Sequence, residues 1–182
     1  MRRLTDAELL LLGLVAEMPR HGYELDHVIE QRGMREWTQI GFSSIYFVLG
    51  KLQMLGLVVA RKPKANVSVK ARKVYSVTSA GLKTLASQTV AALRAVQPAY
   101  SSLLLGMINW SVLGRDEALA ALAARAQALD AELARLGAIQ IERQPLPDFV
   151  EAVFEYSLGQ LRAEAAWTTD TLAYMTHKPW LE

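Results

Sequence analysis

The sequence predicts a mainly α-helical protein with one small β-hairpin in its N-terminal half and an all-helical region after it. Three observations predict this. Apolar residues recur at three- and four-residue intervals through most of the 182 residues. Two short stretches, residues 57–60 and 74–77, switch to the period-two alternation of strands. The charges, finally, are sorted along the chain. Residues 1–90 carry 13 basic and 7 acidic side chains, a net of +6, and residues 91–182 carry 7 and 11, a net of −4. The formal +2 of the whole chain hides that division. No Asp or Glu occurs between positions 37 and 115. A basic half joined to an acidic half points to a polyanion-binding module attached to something else.

The elements follow in order. Thr5-Asp6-Ala7-Glu8 has the form of a capping box, in which the Thr5 hydroxyl and the Glu8 carboxylate each accept from the other's amide. It opens a first helix that ends near Met18-Pro19. A second helix runs from about Gly22 to Arg32, with Leu25, Val28 and Ile29 inward and Gly33 as its stop. The third begins near Ser43 and spans residues 43–55. Ile45, Val48, Leu49, Leu52 and Leu55 share its inner face, Gly56 ends it, and Ser43, Phe47, Gly50 and Met54 lie opposite. The two strands then flank residues 61–73, which hold six cations (Arg61, Lys62, Lys64, Lys70, Arg72, Lys73) and no anion. Thr78 caps a fourth helix with Leu82, Leu85, Val90 and Leu93 on one face.

Three further helices are expected beyond Pro98. The first covers roughly residues 100–113 and stops at Gly114, and the second runs from near Asp116 to about Glu142. Leu122, Leu129 and Leu136 stand seven apart in that second helix, a short heptad seam that also takes in Leu133. After Pro145-Leu146-Pro147, Asp148-Phe149-Val150-Glu151 reads as a second capping box opening the last helix. There Leu158, Leu161 and Leu172 continue a three-and-four spacing. The expected domains are residues 1–95 and 96–182.

With 52% hydrophobic residues, most of the chain has material for a packed core, which excludes general disorder. The absence of cysteine excludes disulfides, thiolate nucleophiles, Cys-based zinc sites and thiol redox sensing. Arg2-Arg3 before an apolar run imitates a targeting signal, but Asp6 and Glu8 interrupt it and no small-residue cleavage site follows. The longest mostly apolar stretch, residues 103–113, is too short to span a bilayer. A soluble cytoplasmic protein with no membrane partner is expected.

Three helices followed by a strand, a basic hairpin and a strand form a winged helix-turn-helix pattern. In that arrangement the third helix enters the major groove of DNA and the hairpin lies along the backbone, where its cations displace counterions. On this reading Ser43, Ser44 and Tyr46 hydrogen-bond to phosphates or base edges. Phe47 touches a thymine methyl, and Lys51 reaches a guanine edge or a phosphate. A DNA-bound protein of this kind is found at the nucleoid.

Leu9 to Met18, His21-Gly22-Tyr23-Glu24-Leu25, Ser43-Ser44-Ile45-Tyr46 with Leu49, Leu52 and Gly56-Leu57-Val58, and the run from Arg72 to Gly81 together resemble the PadR-like regulators. The resemblance covers residues 4 to about 85, and the helical remainder fits the family's C-terminal dimerisation domain. It implies a bacterial transcriptional regulator, usually a repressor, that binds a palindromic double-stranded operator as a homodimer. It also places Tyr23, Ser43, Ser44, Tyr46, Lys51, the wing cations and Tyr75 against DNA. The chain departs from the family pattern at Phe47 and Gly50, so the operator sequence does not carry over.

Independently of the family, three amphipathic helices are too small a unit to cover their own apolar faces, and a two-fold partner is the commonest solution. Leu122, Leu129, Leu133, Leu136, Leu158, Leu161 and Leu172 are the expected dimer contacts. Tyr100, Trp110, Phe154 and Trp167 are candidates to line a pocket for a small apolar or aromatic effector, with Trp110 expected mid-helix. No enzyme is expected. His21, His27 and His177 lack metal-ligand spacing, and no phosphate loop, nucleophile elbow or unexplained carboxylate pair occurs, so neither metal nor cofactor is implied. The competing reading is a non-enzymatic protein-interaction module that keeps a vestigial winged helix.

Overall fold

A computed structural model of the chain describes residues 2–38, 40–61, 73–96 and 101–178. The chain divides into two compact units, Met1–Pro98 and Ala99–Glu182. The first is a winged helix-turn-helix fold. Its helices are α1 (Asp6–Glu17), α2 (Gly22–Gln31), α3 (Phe42–Met54) and α4 (Ser79–Arg94). Its strands are β1 (Arg20–His21), β2 (Val58–Arg61) and β3 (Val74–Val77), joined antiparallel in the order β1-β3-β2. The register pairs Arg20 with Tyr75 and Val58 with Val77. The two-residue β1 was not expected, because a strand that short carries no alternation to read.

The predicted start of α1 is present in full: Glu8 N–H donates to Thr5 Oγ1 (3.3 Å) and Thr5 N–H to Glu8 Oε2 (2.9 Å). Helix α2 has a capping box too, made by an uncommon residue. His21 Nδ1 accepts from the Glu24 amide (3.1 Å), and Glu24 Oε2 accepts from the His21 amide (2.9 Å). Gly33 and Gly56 end α2 and α3 with positive φ (62° and 69°), the left-handed conformation that glycine adopts without a Cβ clash. Leu11, Leu12, Leu25, Ile29, Ile45, Leu49 and Leu52 are wholly buried and form the centre of the core, which Val58 and Tyr75 extend onto the sheet.

Helix α4 packs on α1 through a different face from the one its apolar spacing indicated. Gly81 and Thr84 are buried, whereas Leu82, Val90 and Leu93 are exposed, and only Leu85 of the expected set touches the core. The reason lies at its first turn. Thr78 N–H donates to Leu57 O (3.0 Å) and Gly81 N–H to Thr78 Oγ1 (2.9 Å). The helix therefore starts flat against the Leu57 carbonyl, and a Cβ on Gly81 would lie 2.1 Å from that oxygen. Further along, the Leu4 amide donates to Gln88 Oε1 (3.2 Å) on the same side.

The second unit contains a short α5 (Ser102–Ile108), a single 3-10 turn at Trp110–Val112, and the long helices α6 (Arg115–Glu142) and α7 (Asp148–His177). Trp110 thus opens a separate turn instead of sitting mid-helix. Helices α6 and α7 form an antiparallel hairpin. Arg115 donates to Thr176 O (2.7 Å) at one end, Arg125 pairs with Glu164 midway, and Gln140 donates to Glu151 (2.7 Å) at the other end. The expected capping box at Asp148 is not formed. Pro147 is the N-cap, without a side-chain bond, and Glu151 accepts from Gln140 and Gln144 instead.

Candidate nucleic-acid interface

Helix α3 is held by its inner face. Ile45, Val48, Leu49 and Leu52 are buried, at the spacing that puts them in one stripe against α1, α2 and β2. The opposite side is uncovered. Ser43, Ser44 and Gln53 are exposed there, together with Phe42, Tyr46, Phe47 (68%) and Met54 (82%). Sequence reasoning passed over Phe42 and Gln53. Their helical position was the available signal, since both fall beside Tyr46 and Gly50 on the outer arc. Gly50 lies at the floor of a shallow concavity of about 470 Å³ lined by Tyr46, Phe47, Lys51, Gln53 and Met54.

Lys51 does not point freely outward. Its Nζ lies 3.3 Å from Glu8 Oε1 and 5.3 Å from the centre of the Phe47 ring. Glu8 is wholly buried and also takes Arg2 (2.6 Å) and the Thr5 amide. Burial alone pushes the Glu8 carboxyl up, but the Thr5 amide, Arg2 and Lys51 outweigh it and hold the group below its ordinary value. The expected guanine or phosphate contact of Lys51 gives way to an ion pair between α1 and α3. A buried carboxylate needs its cations more than an exposed face does.

Tyr46 covers the start of α2. Its ring meets Phe42 edge-on at 5.5 Å and lies so close to Gly22 that a Cβ there would sit 2.6 Å from Tyr46 Cε1. A side chain at Gly22 would have to displace that ring. His21, Gly22, Tyr46, Lys73 and Tyr75 converge on a cleft of about 260 Å³. Tyr75 is 7% exposed and belongs to the core, so the phosphate contact expected of it reduces to whatever edge this cleft leaves open. Burial, with Tyr46 nearby, raises its phenol pKa and keeps it a neutral hydroxyl. Tyr23 is exposed beside the cleft, its ring centre 6.4 Å from that of His21.

The acidic side chains of this unit are largely taken up internally. Glu17 holds Arg32 (2.7 Å) and Arg20 (3.0 Å), and Arg35 spans Asp26 (2.6 Å) and Glu30 (2.7 Å). Arg32 is correspondingly raised and Glu17 lowered in pKa by their mutual hydrogen bonds. Arg61 and Lys73, at the base of the hairpin, are exposed and pair with no anion among the described residues. Lys62, Lys64, Lys70 and Arg72 lie outside the described residues.

In the second unit the heptad leucines have their partner already. Leu122, Leu129, Leu136 and Leu158 are buried within the single chain where α6 meets α7, and Leu133, Leu161 and Leu172 are half-buried. They close a hairpin and leave little surface for the dimer contact assigned to them. The exposed apolar residues are others: Phe149, Val153, Tyr156 (68%), Trp167 and Tyr174 along α7, and Leu104, Leu105, Ile108 (76%) and Val112 before α6. Of the effector-pocket candidates, Phe154 is wholly buried in the hairpin, Trp110 is half-buried and Trp167 lies on the outer side of α7. Tyr100 lies outside the described residues. Among the described residues no acidic, histidine or cysteine cluster could hold a metal ion, and no helix is long and apolar enough to cross a membrane.

Three helices, a three-stranded sheet ending in a basic hairpin, and a third helix with one face bare define the winged helix-turn-helix class. Residues 11–87 match the sequence profile of the transcriptional regulator PadR-like family. Family members are transcriptional regulators and not enzymes. Among solved structures, Bacillus subtilis PadR in complex with operator DNA superposes with a TM-score of 0.74 at 21% identity, covering 94% of this chain and 99% of that one. The same protein in complex with p-coumaric acid gives 0.75 at 22% identity, over 93% and 98%. The PadR-like regulator BC1756 from Bacillus cereus gives 0.66 at 17%, over 96% and 100%. At these identities the likeness is one of fold. No curated protein matches the chain in sequence.

Proposed function

We propose that this regulator is a homodimeric repressor that binds a palindromic DNA operator, with α3 in the major groove and the basic hairpin 61–73 on the phosphate backbone. The exposed face of α3 carries the reading: its inner stripe is buried, and Ser43, Ser44, Phe47, Gln53 and Met54 on its outer stripe stay exposed among the described residues. The acid-free run beside it supplies the charge, and the cleft joining Tyr46, Lys73 and Tyr75 suits a backbone phosphate. Residues 1–95 act as the DNA-binding domain and residues 96–182 as the dimerisation domain. The dimer contact runs through the exposed Phe149, Tyr156, Trp167 and Tyr174 stripe of α7 in place of the heptad leucines. A two-fold dimer addresses half-sites one or two turns of DNA apart. The p-coumaric acid bound by the B. subtilis protein supports a small aromatic effector here too, with Trp110 and Trp167 as its contacts. Such a protein works in the cytoplasm.

The test is the salt dependence of operator affinity. Affinity falls steeply with salt, and replacing Lys62, Lys64 and Arg72 with Ala flattens the log–log slope by about one unit for each phosphate the variant no longer neutralises. A salt-independent interaction, or none with any DNA, rejects the reading.

A further inference from the structure

The outer face of α3 has an unusual chemistry for a helix that reads DNA. Its one charged residue, Lys51, lies at the edge of that face and holds the buried Glu8 carboxylate at 3.3 Å, so its ammonium is shared with the interior of the domain. It presents apolar surface with a gap in it. Beyond its own stretch of helix, Gly50 meets no atom of the described residues within 4 Å of where its Cβ would stand, and Tyr46, Phe47, Lys51, Gln53 and Met54 line the concavity around it. The only apolar group in the major groove is the C5 methyl of thymine. The charge of the surrounding surface selects the occupant: Arg61 and Lys73 are unpaired by any anion among the described residues, which suits a polyanion and opposes a cationic or acid-seeking partner.

We propose that the notch over Gly50, walled by Phe47 and Met54, receives the methyl group of a thymine in each operator half-site. The inference rests on the DNA-binding reading above and deepens it. Gly50 is then a specificity determinant by virtue of what it lacks, because the missing Cβ lets the helix backbone approach the base pair. Gln53, on the rim of the notch, stands where a side-chain amide can pair with the N6 and N7 of an adenine. The helix therefore reads A·T pairs by methyl and amide.

The experiment uses the full-length protein and a duplex selected by it from random DNA. Each thymine is replaced in turn by deoxyuridine, which removes the methyl group and nothing else. One position per half-site is expected to bind about fourfold more weakly, the factor that corresponds to about 0.8 kcal/mol for one buried methyl. Gly50→Ala raises a methyl group from the floor of the notch, where the thymine methyl would sit. It keeps the fold, with an equal or higher melting temperature since alanine favours helix, and binds the thymine duplex about tenfold more weakly. Both Gly50→Ala and Phe47→Ala erase the difference between thymine and uracil. A selected duplex that binds with its salt dependence intact but shows no uracil penalty at any position overturns the notch and leaves DNA binding standing. A penalty undiminished in both variants overturns it as well, because the methyl is then read elsewhere. Failure to select any duplex overturns both readings.

Discussion

The two units bury their apolar residues in different ways. In the first, four helices and a sheet close around Leu11, Leu25, Ile29, Ile45, Leu49 and Leu52, none of which retains any exposure. In the second, two long helices meet along one seam, and each helix still has a far side. A pair of helices has no third layer to cover those far sides, so Phe149, Tyr156 and Tyr174 stay exposed, as do Ile108 and Val112 nearby. Exposed apolar residues therefore mean two things in one chain. On α3 they form a small patch on a self-sufficient domain. On α7 they continue along most of a 30-residue helix, the surface that the proposed dimer contact would cover.

Three experiments break or sharpen this contrast. The largest effect is expected from Gly81→Ala, which drives a Cβ to 2.1 Å from the Leu57 carbonyl and 2.8 Å from Val77 Cγ2. Overpacking against backbone costs about 3 kcal/mol, and thermal unfolding should show the melting temperature of the first unit falling by many degrees. An unchanged transition contradicts the tight docking of α4 on the sheet.

Next comes the outer stripe of α7. Placing charges there with Tyr156→Glu and Trp167→Glu should weaken self-association about a hundredfold, or about 2.7 kcal/mol, while helix content at high concentration stays the same. Sedimentation over a concentration series measures it. Leu129→Ala should behave oppositely and lower helix content, because that side chain is inside the hairpin. If the leucine variant dissociates the protein and the glutamates do not, the seam assignments must be exchanged.

The smallest concerns Glu8. Its pKa is lowered on folding, so the stability it contributes is fully present above its ordinary value near 4.5 and is lost as pH falls through the lower folded value. At neutral pH, Glu8→Gln should cost about 2 kcal/mol, since it unpairs Arg2 and Lys51 and weakens the Thr5 cap. Denaturant titrations of both proteins should converge as the pH falls through that window. A gap that widens in acid contradicts a stabilising buried carboxylate.

Much of the first unit was legible from residue order because the signals are local. The Thr5–Glu8 box, the glycine stops at Gly33 and Gly56, the inner stripe of α3 and the Thr78 cap each depend on residues within a few positions of one another. The site was legible only as a face. Ser43, Ser44, Tyr46 and Phe47 are exposed as expected, but Lys51 turned inward and Tyr75 joined the core. In both cases the deciding neighbour lies far off in sequence: Glu8 for Lys51, and the sheet pairing with Arg20 for Tyr75. The capping box at His21 went unread because imidazole is not among the common capping groups, although its lone pair accepts an amide as a hydroxyl does.

The sequence by itself determined the class of protein, the order of its helices with the limits of most of them, and the segregation of positive charge into the half that carries the hairpin. Those follow from periodicity, capping and composition, which act within a turn or a strand. Tertiary structure alone decided which partner each apolar stripe meets. A heptad spacing such as Leu122, Leu129 and Leu136 states that one face will be buried, yet the same spacing serves a second chain or a neighbouring helix equally well. The short connection between α6 and α7 brings the neighbouring helix in at far higher effective concentration, so the leucines close the hairpin and the aromatic residues on the outer side of α7 stay exposed.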